Sequence, residues 1–130
     1  MDQVEFPQNF RLGDLQLKIM KVLWQFGRAS VAKVHERLSA DRLAYTTVAT
    51  MLRKMEDRGL VRHDEVERRF IYEAAVSESK VTRSMSNDFL DRLFEGSLAG
   101  AVSHLFVTRD VSREELAELE RLIKRRSRRR

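Results

Sequence analysis

Hydrophobic residues recur every three or four positions near the start of the chain. After Gly13-Asp14, this spacing predicts a first helix with one apolar face, ended by Gly27. The apolar face contains Leu15, Ile19, Val22, Leu23 and Phe26. Ser30 then occupies a typical N-cap position, and the apolar residues Val31, Val34 and Leu38 follow it. This second pattern predicts a short second helix.

The segment YTTVATMLRK, residues 45–54, predicts a third helix that runs from about Tyr45 to Arg58 and ends before Gly59. Because each residue advances ~100° around a helix, the apolar and polar positions separate. The inner arc holds Val48, Met51, Leu52 and Met55, and the outer arc holds Thr46, Thr47, Thr50, Arg53, Lys54 and Asp57. An exposed threonine destabilises a helix by a few tenths of a kcal/mol relative to alanine. The outer face therefore calls for an explanation beyond folding.

After Gly59 the hydrophobic period changes from that of a helix to that of a strand. The segment LVRHDEVERRFIYEA predicts two strands, about 60–65 and 69–74, joined by a charged tip. Three helices followed by a hairpin are typical of a winged helix-turn-helix domain. The predicted fold is thus mainly α with a small β-hairpin wing, and the DNA-binding domain spans residues 1–75.

The pattern beyond residue 76 returns to that of short amphipathic helices. Ser112 and Glu115 have capping-box spacing at the start of the last helix. So many large apolar residues exceed what one small domain can bury, and monomers rarely leave large apolar patches uncovered. We therefore expect residues 76–123 to form a helical dimerisation region. Its candidate interface residues are Val81, Met85, Phe89, Leu93, Leu98, Val102, Leu119 and Ile123.

The positive charge of the chain is concentrated at one end. The formal net charge is +5, of which the C-terminal KRRSRRR alone contributes +6. Residues 1–75 carry +2 and residues 76–123 carry −3. A terminal run of like charges is usually solvated, so we expect residues 124–130 to form a disordered basic tail. Such a tail adds at most a salt-sensitive attraction to phosphate.

The composition excludes several classes of function. With no cysteine, the chain has neither a disulfide framework nor a thiolate metal site. His35, His63 and His104 have no ligand-like spacing, and no glycine-rich phosphate loop is present. We therefore expect no enzymatic activity, no metal and no cofactor. The sequence also lacks a signal peptide and an apolar run of about 18 residues, so a cytoplasmic protein that is not inserted in a membrane is expected.

The threonine-rich face of the third helix is suited to reading DNA. A threonine hydroxyl can hydrogen-bond a base edge or a phosphate, and its methyl group can meet a thymine methyl. The N-terminal half of a recognition helix points at the bases, and a wing lies against the backbone. The predicted DNA-binding residues are Thr46, Thr47, Thr50, Arg53, Lys54, Arg68 and Arg69.

Two segments together resemble the penicillinase repressor family, also called BlaI/MecI/CopY. They are LGDLQLKIMKVLWQFGRASVAKVHERL and LAYTTVATMLRKMEDRGLVRHDEVERRFIYEAAVS. The shared features are a first helix containing LW, the YTTV start of the third helix, the RGLV exit and the FIY strand. The resemblance covers nearly the whole chain. It implies a homodimeric cytoplasmic repressor that binds a palindromic operator in double-stranded DNA and dimerises through its C-terminal helices.

This sequence departs from both branches of that family in ways that bear on the inducing signal. The copper-responsive branch has a cysteine-rich tail, which is absent here. In the β-lactam-responsive branch, a membrane metalloprotease sensor leads to cleavage at an Asn-Phe bond. The corresponding stretch here is SHLFVTRD, with Leu105-Phe106 and no asparagine. We expect release by proteolysis within about 103–111, with Leu105 and Phe106 buried and residues 107–111 forming a reachable connector.

Two alternatives share the same fold. A winged-helix regulator could release DNA on binding a small effector between its C-terminal helices. A winged domain could also serve protein contacts alone. The second alternative predicts large apolar anchors on the outer face of the third helix, where this sequence has Thr, Arg and Lys.

Overall fold

The computed structural model describes residues 12–129, which form six α-helices and a three-stranded antiparallel sheet. In chain order the elements are α1 (Asp14–Phe26), β1 (Arg28–Ser30), α2 (Val31–Arg37), a 3₁₀ turn (Ser39–Asp41), α3 (Tyr45–Asp57), β2 (Val61–Val66), β3 (Arg69–Ala74), α4 (Glu78–Phe94), α5 (Leu98–Thr108) and α6 (Arg113–Arg128). The chain divides into two compact units between Asp88 and Phe89. The predicted fold class is confirmed.

The first unit is a winged helix-turn-helix domain built around one apolar core. The inner faces of α1 and α3 are fully excluded from solvent, and α2 and the sheet close the core around them. The central core side chains are Ile19, Met20, Leu23, Val34, Val48, Leu52, Met55, Leu60, Val61 and Tyr72. Local signals set the helix ends: Gly27 has φ +83° and donates its N–H to Leu23 O at 2.8 Å, and Ser30 Oγ accepts from Lys33 N at 3.1 Å.

The sheet has one more strand than the sequence pattern predicts. β3 lies in the centre, with β2 on one side and the three-residue strand β1 on the other. On the outer face of the sheet, Arg28, Glu73 and Arg62 lie in one row across the three strands. Arg62 Nε lies 2.7 Å from Glu73 Oε2, and Arg28 Nη2 lies 2.9 Å from Asp64 Oδ2. These exposed pairs orient the strands and contribute little to stability individually.

The first turns of α4 belong to the winged domain. Trp24 Nε1 donates a hydrogen bond to Val76 O at 3.0 Å, and Val76 and Val81 are buried in the same core. Met85 is half-buried against that core. The division between Asp88 and Phe89 therefore differs from the predicted boundary at residues 75–76. Two of the predicted interface residues, Val81 and Met85, pack here against the core of their own chain, Val81 completely and Met85 in part.

The second unit consists of the end of α4 with α5 and α6. Ser97 Oγ accepts from Gly100 N at 2.9 Å and Ser112 Oγ from Glu115 N at 3.0 Å, so each of the last two helices begins with a side-chain cap. Between residues 89 and 129, Ala101 is the one buried residue. The exposed large apolar side chains here are Phe89, Leu93, Leu98, Val102, Leu105, Phe106, Val107, Leu116, Leu122 and Ile123.

The last helix extends further than the sequence pattern predicts. α6 continues to Arg128, well into residues 124–130, where the charge run predicts disorder. The basic side chains of its last turn interact favourably with the negative end of the helix dipole, which stabilises the C-terminal turns.

The buried phenol of Tyr72 makes a prediction about alkaline stability. Burial raises the pKa of Tyr72 above its usual value of 10.0; the Glu56 carboxylate raises it further and Arg53 lowers it. The phenol therefore stays neutral to higher pH in the folded chain than in the unfolded chain. As a result, the free energy of unfolding should fall as the pH rises through 10 and beyond. Tyr72→Phe should make this fall in the free energy of unfolding shallower between about pH 9 and pH 11.

The measurement is urea unfolding across that pH range. Tyr45→Phe is the matched control, because the Tyr45 ring is 50% exposed. Equal pH profiles for the Tyr72→Phe variant and the original chain would contradict the prediction.

Candidate nucleic-acid interface

The outer face of α3 is polar and exposed along its whole length. Thr46, Thr47, Thr50, Arg53 and Lys54 all lie on the solvent side, while Val48, Leu52 and Met55 on the opposite side are fully buried. Arg53 Nη2 donates to Thr50 Oγ1 at 3.3 Å. Short hydroxyl side chains thus occupy the N-terminal half of this face, and long cationic side chains follow them.

The wing presents two arginines at its tip. Val66 pairs with Arg69, so Glu67 and Arg68 form a two-residue turn between β2 and β3. Both turn residues have positive φ, 50° for Glu67 and 66° for Arg68. This is the conformation that hairpins with a type I′ turn require and that Asn and Gly adopt most easily. An L-residue with a Cβ incurs about 1–2 kcal/mol there, so the tip keeps charged side chains at some expense in stability.

All seven predicted DNA-binding residues lie on one continuous surface, which we call the α3–wing surface. One shallow depression on it is lined by Thr46, Thr47, Thr50, Met51 and Lys54. A second is lined by Arg53, Arg68 and Arg69 together with Tyr45, Phe70 and the start of α2. A third joins them and contains Thr50, Arg53 and Lys54 at its rim. The fold therefore brings the helix threonines and the wing arginines to the same side of the domain.

Three residues of this surface were missed by sequence reasoning. Tyr45 is 50% exposed and Phe70 42% exposed, although the hydrophobic pattern places Tyr45 at the margin of the core and Phe70 among the apolar positions of the wing. The residues that flank His63 in the sequence do not indicate which side chains it contacts in the fold. No local signal identifies these residues, because their surroundings depend on where the wing meets α3.

His63 connects the wing to α3. Its Nδ1 donates to Glu56 Oε1 of α3 at 2.7 Å. Its ring stacks on Phe70 with centroids 4.1 Å apart and lies 5.3 Å from the Tyr72 ring. The side chains of His63 and Glu56 are 28% and 32% exposed, so the hydrogen bond is partly shielded from water. These contacts fix the wing at one position relative to α3.

The chemistry of the α3–wing surface is that of a binding site for an anionic polymer. It combines the cations Arg53, Lys54, Arg68 and Arg69 with hydroxyl groups that both donate and accept hydrogen bonds. Across residues 12–129, no group of three His, Asp or Glu side chains is placed to hold a metal ion. Within the same range, no helix combines the length and apolar character needed to span a bilayer.

These elements and this surface define the class of protein. A helix-turn-helix pair whose second helix exposes hydrogen-bonding side chains, followed by a cationic hairpin, is a winged-helix domain of the DNA-binding type. The model of the penicillinase repressor family matches residues 12–125 of the chain. The chain belongs to the penicillinase repressor family and is a winged-helix transcriptional repressor.

Individual relatives agree with the family match. The chain is 37% identical over 119 residues to the transcriptional regulator BlaI of Mycobacterium tuberculosis, covering 85% of this chain and 86% of that protein. It is 28% identical over 114 residues to the penicillinase repressor of Bacillus licheniformis, covering 87% of this chain and 89% of that protein. Each alignment covers more than four-fifths of this chain, so neither is confined to the winged domain.

Solved structures show the same fold. The solution structure of the DNA-binding domain of the repressor BlaI superposes with a TM-score of 0.50 at 28% identity, covering 60% of this chain and 93% of that chain. The crystal structure of a MarR mutant from E. coli complexed with operator DNA gives a TM-score of 0.53 at 16% identity, covering 88% of this chain and 74% of that chain. At that identity, the MarR likeness concerns the fold alone.

The hydrogen bond between Glu56 and His63 makes a prediction about the stability of the domain. Glu56→Ala should lower the free energy of unfolding by about 1 kcal/mol, because it removes a partly shielded charged acceptor and leaves the imidazole without its partner. Urea unfolding followed by circular dichroism measures this change. Glu65→Ala is the control, since Glu65 lies on the same strand as His63 and is exposed. Equal destabilisation by the two substitutions would contradict the role assigned to the pair.

Proposed function

We propose that the chain is a homodimeric cytoplasmic repressor that occupies a palindromic operator and acts by binding rather than by catalysis. In this proposal α3 of each subunit enters the major groove and each wing lies against the DNA backbone. The observation that carries the proposal is the α3–wing surface, where groove-reading hydroxyl groups and phosphate-binding cations lie on one side of the domain. Most exposed side chains on the outer face of α3 are Thr, Arg and Lys, and the large exposed apolar groups of the α3–wing surface are limited to the rings of Tyr45 and Phe70.

Each residue type has a distinct role in this arrangement. Thr46, Thr47 and Thr50 lie in the half of α3 that points at the bases, and their small size permits close approach of the backbone. Arg53 and Lys54, one turn later, are long enough to reach a base edge or a phosphate. Arg68 and Arg69 extend from the wing as point contacts to phosphate or to the minor groove. In this proposal α3 recognises the base sequence, and the wing contributes an attraction to DNA that does not depend on sequence.

Dimerisation is proposed to use the second unit. Its apolar side chains are exposed in the single chain: Leu93 is 64%, Leu98 68% and Ile123 66% exposed. A monomer that left such a set uncovered would expose an unusually large apolar patch. Of the predicted interface residues, Phe89, Leu93, Leu98, Val102 and Ile123 are exposed and Leu119 is half-buried, so all six have surface available for a partner.

Release from DNA is proposed to follow proteolysis between α5 and α6. The segment 109–112 connects these helices without regular structure and is the natural point of entry for a protease. Leu105 and Phe106 lie within α5 and are 39% and 47% exposed in the single chain, contrary to the expected burial. A dimer partner would have to cover them for that expectation to hold. A membrane metalloprotease sensor is the proposed origin of the signal.

The threonines make a prediction about sequence discrimination. Thr50→Ala and Thr47→Ala should each weaken binding to the chain's own operator by on the order of 1 kcal/mol, because the hydroxyl that bonds a base edge is removed. Binding to a random duplex should change little. Fluorescence anisotropy with both duplexes at one salt concentration measures the difference. Thr82→Ala, an exposed threonine of α4, is the control. Equal weakening on both duplexes would remove Thr47 and Thr50 from base readout.

The wing makes a different prediction, which concerns salt. Replacing Arg68 and Arg69 with alanine should weaken binding to operator and random duplex alike. It should also reduce the slope of log K against log salt by about one for each phosphate that the protein no longer neutralises. Lys21→Ala, an exposed cation of α1, should leave the slope unchanged. A slope that stays the same after the double substitution would place the wing away from DNA.

Truncation makes a prediction about release. A chain ending at Arg109 lacks α6 and mimics the cleaved product. It should sediment mainly as a monomer and bind the operator far more weakly, because two joined half-site readers gain from effective concentration. In cells, the full-length chain should disappear as its target promoter is derepressed. Full derepression with the intact chain retained would refute the proteolytic route and favour a reversible small effector.

A further inference from the structure

α6 carries its acidic and basic residues in separate halves. The first half, residues 113–120, contains Glu114, Glu115, Glu118 and Glu120 with one arginine, Arg113. The second half contains only basic charges through residue 129: Arg121, Lys124, Arg125, Arg126, Arg128 and Arg129. The junction between the halves lies near the middle of the helix.

An apolar stripe crosses this junction. Leu116, Leu119 and Ile123 are spaced three and four residues apart, so they lie on one face of α6. Leu116 is 42% and Ile123 66% exposed, and no residue of α6 is buried in the single chain. This spacing is that of the seam between two packed helices. The helix therefore presents an apolar seam that its own chain covers only in part, at Leu119.

The helix dipole accounts for only part of the charge pattern. Acidic residues in the first turn and basic residues in the last turn stabilise any helix, but this effect falls off within one turn of each end. Glu118, Glu120, Arg121 and Lys124 lie further inside. Glu118 pairs with Arg121, whose guanidinium lowers the pKa of that carboxyl. The Glu118–Arg121 pair stabilises the helix itself, but it does not require the glutamates to occupy one half of α6 and the basic residues the other.

We propose that α6 packs antiparallel against α6 of a second copy of the chain, with the acidic half of each helix beside the basic half of the other. A parallel pair would place glutamates beside glutamates and arginines beside arginines. The antiparallel pair brings opposite charges together at both ends. It also obeys the two-fold symmetry of a homodimer, in which the same patch is used on both subunits. This inference rests on the proposed dimer and specifies how its last helices meet.

The proposed register pairs the two apolar stripes. If Leu119 of one copy meets Ile123 of the other, Glu115 lies beside Arg129 of the other copy on one flank of the seam. On the opposite flank, Arg113 lies beside Ser127 of the other copy. Glu114 points away from the seam, because it is about 200° around the helix from Leu116. Glu114 and Glu115 are therefore neighbours in sequence with different expected roles.

The absence of native cysteine makes the orientation measurable in the full-length dimer. Arg113→Cys and Ser127→Cys are made singly and together and treated with a short bis-maleimide. The double variant should form cross-linked dimers in high yield, and each single variant should form almost none. Within one chain the two sites are about 21 Å apart along the helix, so a short reagent does not bridge them.

A charge exchange tests the same contact independently. Glu115→Arg should raise the dissociation constant of the dimer about tenfold, since each dimer contains the contact twice and the substitution replaces attraction by repulsion at each. Adding Arg129→Glu should restore most of the affinity. Glu114→Arg, the matched control in the same helical turn, should change the constant less than about twofold. Analytical ultracentrifugation at two salt concentrations provides the constants.

The outcomes separate this inference from the proposed dimer. Cross-linking of both single variants would indicate parallel helices and overturn it. Sedimenting dimers without cross-links in the double variant, or equal effects of Glu114→Arg and Glu115→Arg, would also overturn it while leaving the dimer in place. A full-length chain that sediments as a monomer at every concentration would refute the dimer itself.

Discussion

A helix that buries one side cannot rotate about its own axis. In α3 the fixed side is formed by Val48, Leu52 and Met55, all excluded from solvent. Rotation by even one residue, about 100°, would expose one of these side chains and bury a threonine or arginine. The packing of the inner face therefore determines which side chains face outward. Since the same core holds α1, α2 and the sheet, the position of the α3–wing surface follows from it.

Beyond its base, the wing has no comparable apolar anchor, and its position depends on polar and aromatic contacts. Tyr72 secures the base of the hairpin in the core. Further out, the Glu56–His63 hydrogen bond joins β2 to α3, and Phe70 of β3 stacks on the His63 ring. The tip beyond them is charged and set by backbone conformation alone. The conformation of the domain thus becomes progressively less constrained from its core to the tip of the wing. The tip is the part that would contact the DNA backbone in the proposed complex.

The sequence predicts the features that are determined by residues close together in the chain, and it does not predict those that depend on tertiary packing. The first three helices and the hairpin are encoded by spacing, caps and glycines close together in the chain, so their ends were predicted within a residue or two. β1 was missed because three residues carry no period, and this strand exists only through its pairing with β3. Val81 and Met85 have the spacing of an interface helix, and the sequence does not say which surface covers them. Phe70 was missed for the same reason.

The hydrogen bond between Trp24 and Val76 gives this protein a built-in spectroscopic reporter. Trp24 is the one tryptophan in the sequence, and its indole N–H bonds the backbone just before α4 begins. The wavelength of indole fluorescence emission depends on hydration and hydrogen bonding. The emission maximum of Trp24 should therefore show whether the first turns of α4 remain packed on the winged domain. Events in the C-terminal helices that loosen α4 should therefore become visible without any label. The signal would come from the segment that joins the DNA-binding domain to the rest of the chain.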